Sequence, residues 1–253
     1  MNPFTLTGKN IIITGASSGI GRQCAISCAA MGATVVLIAR NQERLKETLS
    51  QMANKDTHLC YSVDLTDYNS VIGIIRDAVS KIGRLTGLLN CAGISTTLAM
   101  KMTSPETLEM FFYTNVFSAY FLTKEVCKVE NISKEGASVI FISSVMASVG
   151  TSGKSIYSMT KGALLSGSRS LACELAKKNI RVNVVSPGAI LTPINENLPH
   201  MKDPELRKAL EEQHLLGLGR TEDVANACIF LLSDASRWVT GTNLIVDGGY
   251  TAR

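Results

Sequence analysis

The 253-residue sequence predicts a single-domain, doubly wound α/β fold, a seven-stranded parallel sheet with helices on both faces. Three observations carry this expectation. Short runs rich in β-branched residues are apolar almost from end to end, as strands covered on both faces require. They alternate with longer stretches of helical periodicity. The chain, 45% hydrophobic, is also long enough to bury one sizeable core.

Taken in order, NIIITG (10–15) reads as a buried strand and 19–31 as a helix. ATVVLIA (33–39) is the second strand, followed by a helix over 41–53. HLCYSVD (58–64) is a strand and 67–82 a helix. LTGLLN (85–90) is a strand, and 104–130 holds one long helix. ASVIFIS (137–143) precedes a helix over about 154–178, and IRVNVVS (180–186) is the sixth strand. Residues 193–216 are irregular or short helices, 221–233 a helix, and NLIVDGG (243–249) the last strand. No repeat, linker or low-complexity segment interrupts the series. In such a sheet a ligand belongs at the carboxyl ends of the strands.

Composition narrows the function. The net charge of +4 is spread along the chain without a basic run, which argues against nucleic acid. No apolar run approaches the ~18 residues of a membrane span, and the first residues lack the basic and apolar blocks of a secretory signal. The seven cysteines (24, 28, 60, 91, 127, 173, 228) form no Cys-x-x-Cys pair. Cys24 and Cys28 lie one helical turn apart, but no second pair of ligands accompanies them, so small buried hydrophobes are expected and no metal site. An odd set of free thiols fits the reducing cytosol.

TGASSGIG (14–21) follows the first strand and opens the first helix. Gly15, Gly19 and Gly21 let the backbone turn tightly and approach a pyrophosphate seated on the helix N-terminus, the Rossmann arrangement. An NAD site usually offers a carboxylate about 20 residues further on. Here that place holds Ala39, followed by Arg40, whose guanidinium suits a 2′-phosphate. NADP (as NADPH) is therefore the expected cofactor, with NAD the alternative.

Two tyrosine–lysine pairs share one spacing, Tyr120-Phe-Leu-Thr-Lys124 and Tyr157-Ser-Met-Thr-Lys161. In a helix each pair sits one turn apart on one face. A phenol is a poor base near neutrality, and an ammonium beside it is expected to lower its pKa. The spacing by itself does not choose between the pairs.

Further motifs make a choice. TGASSGIG resembles the glycine motif of the short-chain dehydrogenase/reductase family, and the likeness runs over essentially the whole chain. DLT (64–66) is similar to the family element whose Asp contacts the adenine ring. NCAG (90–93) resembles Asn-Asn-Ala-Gly, which supports the sheet near the adenine ribose; Cys91 stands in place of the second Asn. SPGAILTP (186–193) resembles the Pro-Gly stretch whose following residues hold the nicotinamide amide. GTNLIVDGGYTA (241–252) resembles the C-terminal strand. The resemblance implies cofactor contacts from Gly15, Ser17, Ser18, Gly19, Ile20 and Gly21 in the first turn. It adds Asp64, Leu65, Asn90, Ala92 and Gly93 in the middle, and Pro187, Gly188, Ile190 and Thr192 after the sixth strand. Arg40, Tyr157 and Lys161 complete the set.

The family places a serine 13 residues before its tyrosine, just after the fifth strand. Ser144 fits Tyr157, whereas Thr107 precedes Tyr120 with no strand ahead of it; Ser143 fits the spacing less well. The resemblance then implies that Tyr157 is the general acid in reduction and the base in oxidation, and that Ser144 hydrogen-bonds the substrate oxygen. It implies that Lys161 binds the nicotinamide ribose, and that Asn115, the fourth member, helps to hold a water that relays protons. Tyr120 and Lys124 are left as ordinary helix residues.

Residues 193–216 correspond to the family's substrate lid. Ile194, Leu198, Met201, Leu206, Leu210, Leu215 and Leu216 suggest a partly apolar pocket, with His200 and His214 as plain loop residues. Ile94, Ser95, Met146, Ser148 and Thr151 are expected on the other wall. The overall pattern is similar to 3-oxoacyl-[acyl-carrier-protein] reductases, which place basic residues where they meet an acidic carrier. Lys177 and Lys178 keep one such site basic, while Glu135, placed at the pocket approach, opposes docking. The resemblance also implies a homotetramer, with SRWVTGTNLIVDGGY and its single tryptophan as a buried C-terminal element. The expected activity is NADP(H)-dependent interconversion of a small-molecule carbonyl and alcohol. The alternatives are a fatty-acid 3-oxoacyl reductase and a nucleotide-binding regulator without turnover.

Overall fold

The computed structural model describes residues 2–192 and 203–252. Within them, β1 (Asn10–Thr14), β2 (Thr34–Ala39), β3 (Leu59–Ser62), β4 (Gly87–Asn90), β5 (Ala137–Ile142), β6 (Ile180–Pro187) and β7 (Asn243–Val246) form one sheet. Every pairing is parallel, and the strand order is β3-β2-β1-β4-β5-β6-β7. The chain winds outward from β1 to β3 and then returns to lay β4 against the other side of β1. That reversal opens a crevice at the carboxyl ends of β1 and β4.

The two-residue period of a strand sorts the core. Ile11 and Ile13 point to one face, where Cys24, Ala25 and Cys28 of α1 (Gly19–Ala30) meet Val224 and Cys228 of α8 (Thr221–Leu232). Ile12, between them, points to the other face with Val71 and Ile75 of α3 (Tyr68–Ile82), Leu122 and Val126 of α5 (Ser118–Val126), and Leu164 of α6 (Ser155–Leu175). Each such aliphatic side chain, fully removed from water, contributes roughly 1.5–3 kcal/mol. Cys24, Cys28 and Cys228 serve as small apolar residues here. The neighbouring Cys228 thiol and burial both hold Cys24 protonated.

Local signals start the remaining helices. Asn41 accepts from Arg44 N at the start of α2 (Gln42–Ser50), and Asp67 accepts from Ser70 N before α3. Ser104 and Asp203 each cap a helix whose first residue is proline, α4 (Pro105–Phe112) and α7 (Pro204–Glu212).

One expectation changes. The single long helix over 104–130 is α4 and α5 joined by a π-turn, Tyr113–Phe117, and it ends at Val126. The lid region holds the short helix α7, in keeping with the sequence, while the expected lid residues Ile194, Leu198, His200 and Met201 lie outside the described residues. The C-terminal element, expected to be buried in a homotetramer, is left uncovered by its own chain. β7 is an edge strand, half-exposed along its length, and Trp238 is 91% exposed because it precedes that edge, outside both helical layers. No helix among the described residues is long and apolar enough to cross a membrane.

Candidate active site

A cleft of about 1100 Å³ opens at the β1/β4 switch point. Its floor is the first glycine turn. Gly15 takes φ +66° and Gly19 φ +53°, left-handed values that favour glycine. A Cβ on Gly21 would lie 2.3 Å from the Gly15 carbonyl oxygen, and one on Gly15 would meet Ala92 N and Cα at 3.0 Å. Ser18 leads into α1 in extended conformation and makes no side-chain cap. The first-turn N–H groups of α1 thus face a cradle in which bare backbone is required, which fits a dinucleotide pyrophosphate. Arg22 Nη2 braces the turn by donating to Ser17 O at 2.7 Å. Thr14 Oγ1 ties in the second turn by accepting from Cys91 N and Ala92 N, both at 3.0 Å.

At the far end of the cleft, Ala39 is buried and supplies no carboxylate, while exposed Arg40 lines the wall. Asn41 and Arg44 stand beside it. Neither was singled out from the sequence, although the cap of α2 at Asn41 places Arg44 in the first turn, one turn from the strand end. Asp64 shares this wall. Hydrogen bonds from Thr66 N and Oγ1, helped by the Arg40 guanidinium, hold its carboxyl below the usual range.

On the opposite side, β5 ends at Ile142 and delivers two serines with different duties. Ser143 Oγ donates to Lys161 O at 2.8 Å, so its hydroxyl anchors α6. The Ser144 hydroxyl accepts from Met146 N at 3.2 Å and stands close enough to the Tyr157 phenol to draw its pKa downward. Lys161 Nζ donates to Ile142 O at 2.8 Å and lies 5.7 Å from the Tyr157 ring centroid, over the ring. The π-turn puts Asn115 in the interior. Its Oδ1 accepts from Ile94 N at 2.8 Å, and its Nδ2 donates to Ile94 O and Thr160 Oγ1, each at 3.0 Å.

The expected lowering of the Tyr157 pKa is overturned. Burial pushes the phenol up to about 12 against the pull of Ser144, and burial brings Lys161 down to about 8. Low-dielectric surroundings disfavour both charges, and the ammonium sits over the ring with its proton committed to a carbonyl.

The glycine-turn residues, Arg40, Asp64, Leu65, Ala92, Gly93, Ser144, Tyr157, Lys161, Pro187, Gly188, Ile190 and Thr192 all line this one cleft. Asn90 does not; it is buried behind the wall, and its Nδ2 donates to Thr123 Oγ1 at 3.1 Å. Asn115 likewise stands behind the wall. Of the expected substrate-side residues, Ile94 and Ser95 line the cleft, joined by Met110 and Tyr113, which sequence reading missed. Met146, Ser148, Thr151, Leu206, Leu210, Leu215 and Leu216 are not among its lining residues. His214 is no plain loop residue, being only 4% exposed and bonded at both ring nitrogens. Glu135 is not at the pocket approach. It precedes β5, and Lys177 and Lys178 precede β6, so all three sit at the amino-terminal edge of a parallel sheet whose cleft is at the carboxyl edge. The six-residue β5 separates the two edges by about 20 Å.

Comparison with known proteins fits this geometry. The family model described as enoyl-(acyl carrier protein) reductase matches residues 15–251. The 3-oxoacyl-[acyl-carrier-protein] reductase of Homo sapiens is 35% identical over 241 residues, 95% of this chain and 97% of that one. The chain belongs to the short-chain dehydrogenase/reductase family. Among solved structures, a candidate 2-deoxy-d-gluconate 3-dehydrogenase from Agrobacterium tumefaciens with bound NADP is similar over all of both chains (TM-score 0.90, 32% identity). A 7α-hydroxysteroid dehydrogenase complexed with NADH and 7-oxo glycochenodeoxycholic acid matches 98% of this chain and 96% of its own (TM-score 0.91, 31% identity). As a short-chain dehydrogenase/reductase the protein is an oxidoreductase acting on alcohol and carbonyl groups, in a family that uses NAD or NADP.

Proposed function

We propose that the protein is an NADP(H)-dependent reductase that interconverts a small-molecule ketone and a secondary alcohol. The observation that carries the reading is the convergence of Ser144, Tyr157 and Lys161 on the cleft whose other half is the glycine cradle. When bound, the nicotinamide carries the hydride. The chain's own residues supply the rest. Tyr157, held protonated by burial, gives its proton to the carbonyl oxygen in reduction. Ser144 donates to that oxygen as negative charge develops on it. Lys161 holds the nicotinamide ribose through its ammonium. Asn115 fixes the Ile94 backbone and Thr160, which sets the position of the wall beside Lys161; with its side chain so engaged, its part in a water relay is indirect.

Arg40, with Ala39 in place of an acid and Arg44 beside it, supports NADP over NAD. Titrating the unmodified protein with both dinucleotides, then screening ketones with NADPH by cofactor absorbance, tests the reading. NADPH should bind about tenfold more tightly than NADH, and Ala39→Asp with Arg40→Leu should reverse that order, since charge-assisted contacts of this kind are worth about 1.5–3 kcal/mol. Tighter NADH binding to the unmodified protein would overturn the cofactor assignment.

A second reading, reduction of a 3-oxoacyl group on acyl carrier protein, is favoured by the human relative. A rate that greatly prefers the carrier-linked substrate over a small thioester, with a preference that shrinks as salt rises, would establish it. Seven free thiols support a cytosolic location. The exposed aromatics Tyr113, Phe117, Tyr120 and Phe121, together with Trp238 near the β7 edge, support a homotetramer.

A further inference from the structure

His214 follows α7, on the return from the segment assigned to the substrate lid. Its ring is buried, stacked on Tyr250 at 4.7 Å and 29°. Both nitrogens are engaged, and their partners dictate which does what. Leu210 O can only accept, so Nδ1 donates to it (2.8 Å). Ala189 N can only donate, so Nε2 accepts from it (3.1 Å). Imidazole offers a donor and an acceptor on opposite edges of one flat ring, which is what this junction uses.

The position of Ala189 gives the contact its meaning. Residues 187–192 leave β6 and line the cleft through Pro187, Gly188, Ile190 and Thr192. A Cβ on Gly188 would lie 3.0 Å from His214 Nε2 and 2.9 Å from Asp247 Cα, so the loop, the imidazole and the turn after β7 meet with no room for another side chain. Backbone bonds surround the junction: Gly188 N to Val246 O (3.0 Å), Gly219 N to Ala189 O (3.0 Å) and Leu216 N to Gly248 O (3.0 Å). The His214 ring adds a side-chain link from the helix α7 region directly to the loop.

We infer that His214 is a positioning residue that clamps the end of the substrate-side segment to the 187–192 loop, so that the loop is held in the shape that receives the nicotinamide half of the cofactor. The inference rests on the proposed role of that loop in cofactor binding. His214 itself is not among the residues that line the cleft. It acts by giving the Ala189 N–H its acceptor, and a buried donor deprived of its partner leaves the loop free to rearrange.

Three variants separate the acceptor from the ring. His214→Phe keeps a ring against Tyr250 but has no acceptor. His214→Asn keeps a polar group near Leu210 O but is too short to reach Ala189. His214→Gln carries an amide oxygen at about the reach of Nε2. The readouts are hydrogen exchange at the Ala189 amide, which needs no dinucleotide, and NADPH and NADH dissociation constants by fluorescence titration. The Phe and Asn variants should speed exchange at Ala189 and weaken dinucleotide binding about tenfold, the scale of one unsatisfied buried donor, while Gln restores both to within about threefold. Gln falling as far as Phe would assign His214 to ring packing and overturn the inference. Faster exchange with unchanged dinucleotide binding would overturn it equally. If His214→Phe does not fold, the Asn and Gln pair decides alone. A protein that binds neither dinucleotide before substitution refutes the cofactor reading, whereas unchanged exchange at Ala189 in the variants refutes the clamp.

Discussion

Tyr157–Lys161 and Tyr120–Lys124 have the same spacing on helices of the same kind, and they live in different chemical worlds. Tyr120 is 49% exposed and packs edge-on against Phe121, with Lys124 Nζ 6.0 Å from that neighbouring ring. Lys161 is 5% exposed, and its ammonium is fixed on the carbonyl at the end of β5. The helix supplies the same face twice. What differs is the edge against which the face lies. At Tyr157 the chain leaving β4 brings Gly93 beside the Lys161 ammonium, the end of β5 brings Ser144 to the phenol, and burial resets both acid strengths. The Tyr120 side chain is half-exposed instead.

Substitution should break the likeness most sharply at the phenols. Tyr157→Phe should lower kcat for carbonyl reduction about 10³-fold with dinucleotide binding nearly unchanged, within the range for loss of a general acid. Tyr120→Phe should stay within about twofold on the same argument, because no reacting group is near it. Equal losses would mean that the cleft is not what distinguishes the pairs.

The serines sharpen the contrast at smaller scale. Ser144→Ala should cost about 10²-fold in kcat, the scale of one donor to a developing oxyanion. Ser143→Ala should leave the chemistry within a few-fold and instead lower stability by about 1 kcal/mol, because it removes the bond to Lys161 O. Thermal melts beside steady-state kinetics separate the two outcomes, and the reverse pattern would reassign the hydroxyls.

The mildest test is pH. Lys161, brought down to about 8, is charged below that value and neutral above it. Tyr157, at about 12, keeps its proton throughout the working range. The kcat/KM for reduction should therefore be flat from about pH 6 to 7 and fall as pH rises through about 8, since free-enzyme ionisations govern that ratio. Tyr120→Phe should leave the profile in place. A profile level to pH 10 would show that the Lys161 charge does not matter to reduction.

Much of this was legible in the sequence because it depends on periodicity and glycine. Seven apolar runs became seven strands, and TGASSGIG became a turn where Gly15 and Gly21 are needed at specific contacts. The Ser144 spacing picked the tyrosine that lies in the cleft. What stayed hidden depends on packing between distant elements. The acid strength of Tyr157 reflects burial, and a lysine four residues away says nothing about burial. The π-turn at Tyr113–Phe117 leaves the apolar pattern of a helix intact, so periodicity read through it. The surroundings of Trp238 were hidden for the same reason: only the assembled sheet shows that it lies beside an edge strand and is left uncovered by its own chain. Glu135 was misplaced for a different reason. In a parallel sheet a residue just before a strand lies at the edge opposite the cleft, and the strand assignment already contained that fact.

Thr14 Oγ1 and Gly15 press directly on the backbone of Cys91 and Ala92, which stand 77 and 78 positions beyond Thr14 in the chain. The phosphate cradle is thus shared between two distant parts of the chain. The turn that carries every glycine of the motif is completed by the turn after β4, and joining such distant segments carries the entropy cost of closing a long loop. A truncated chain ending before β4 would contain the entire TGASSGIG motif and still lack a dinucleotide site.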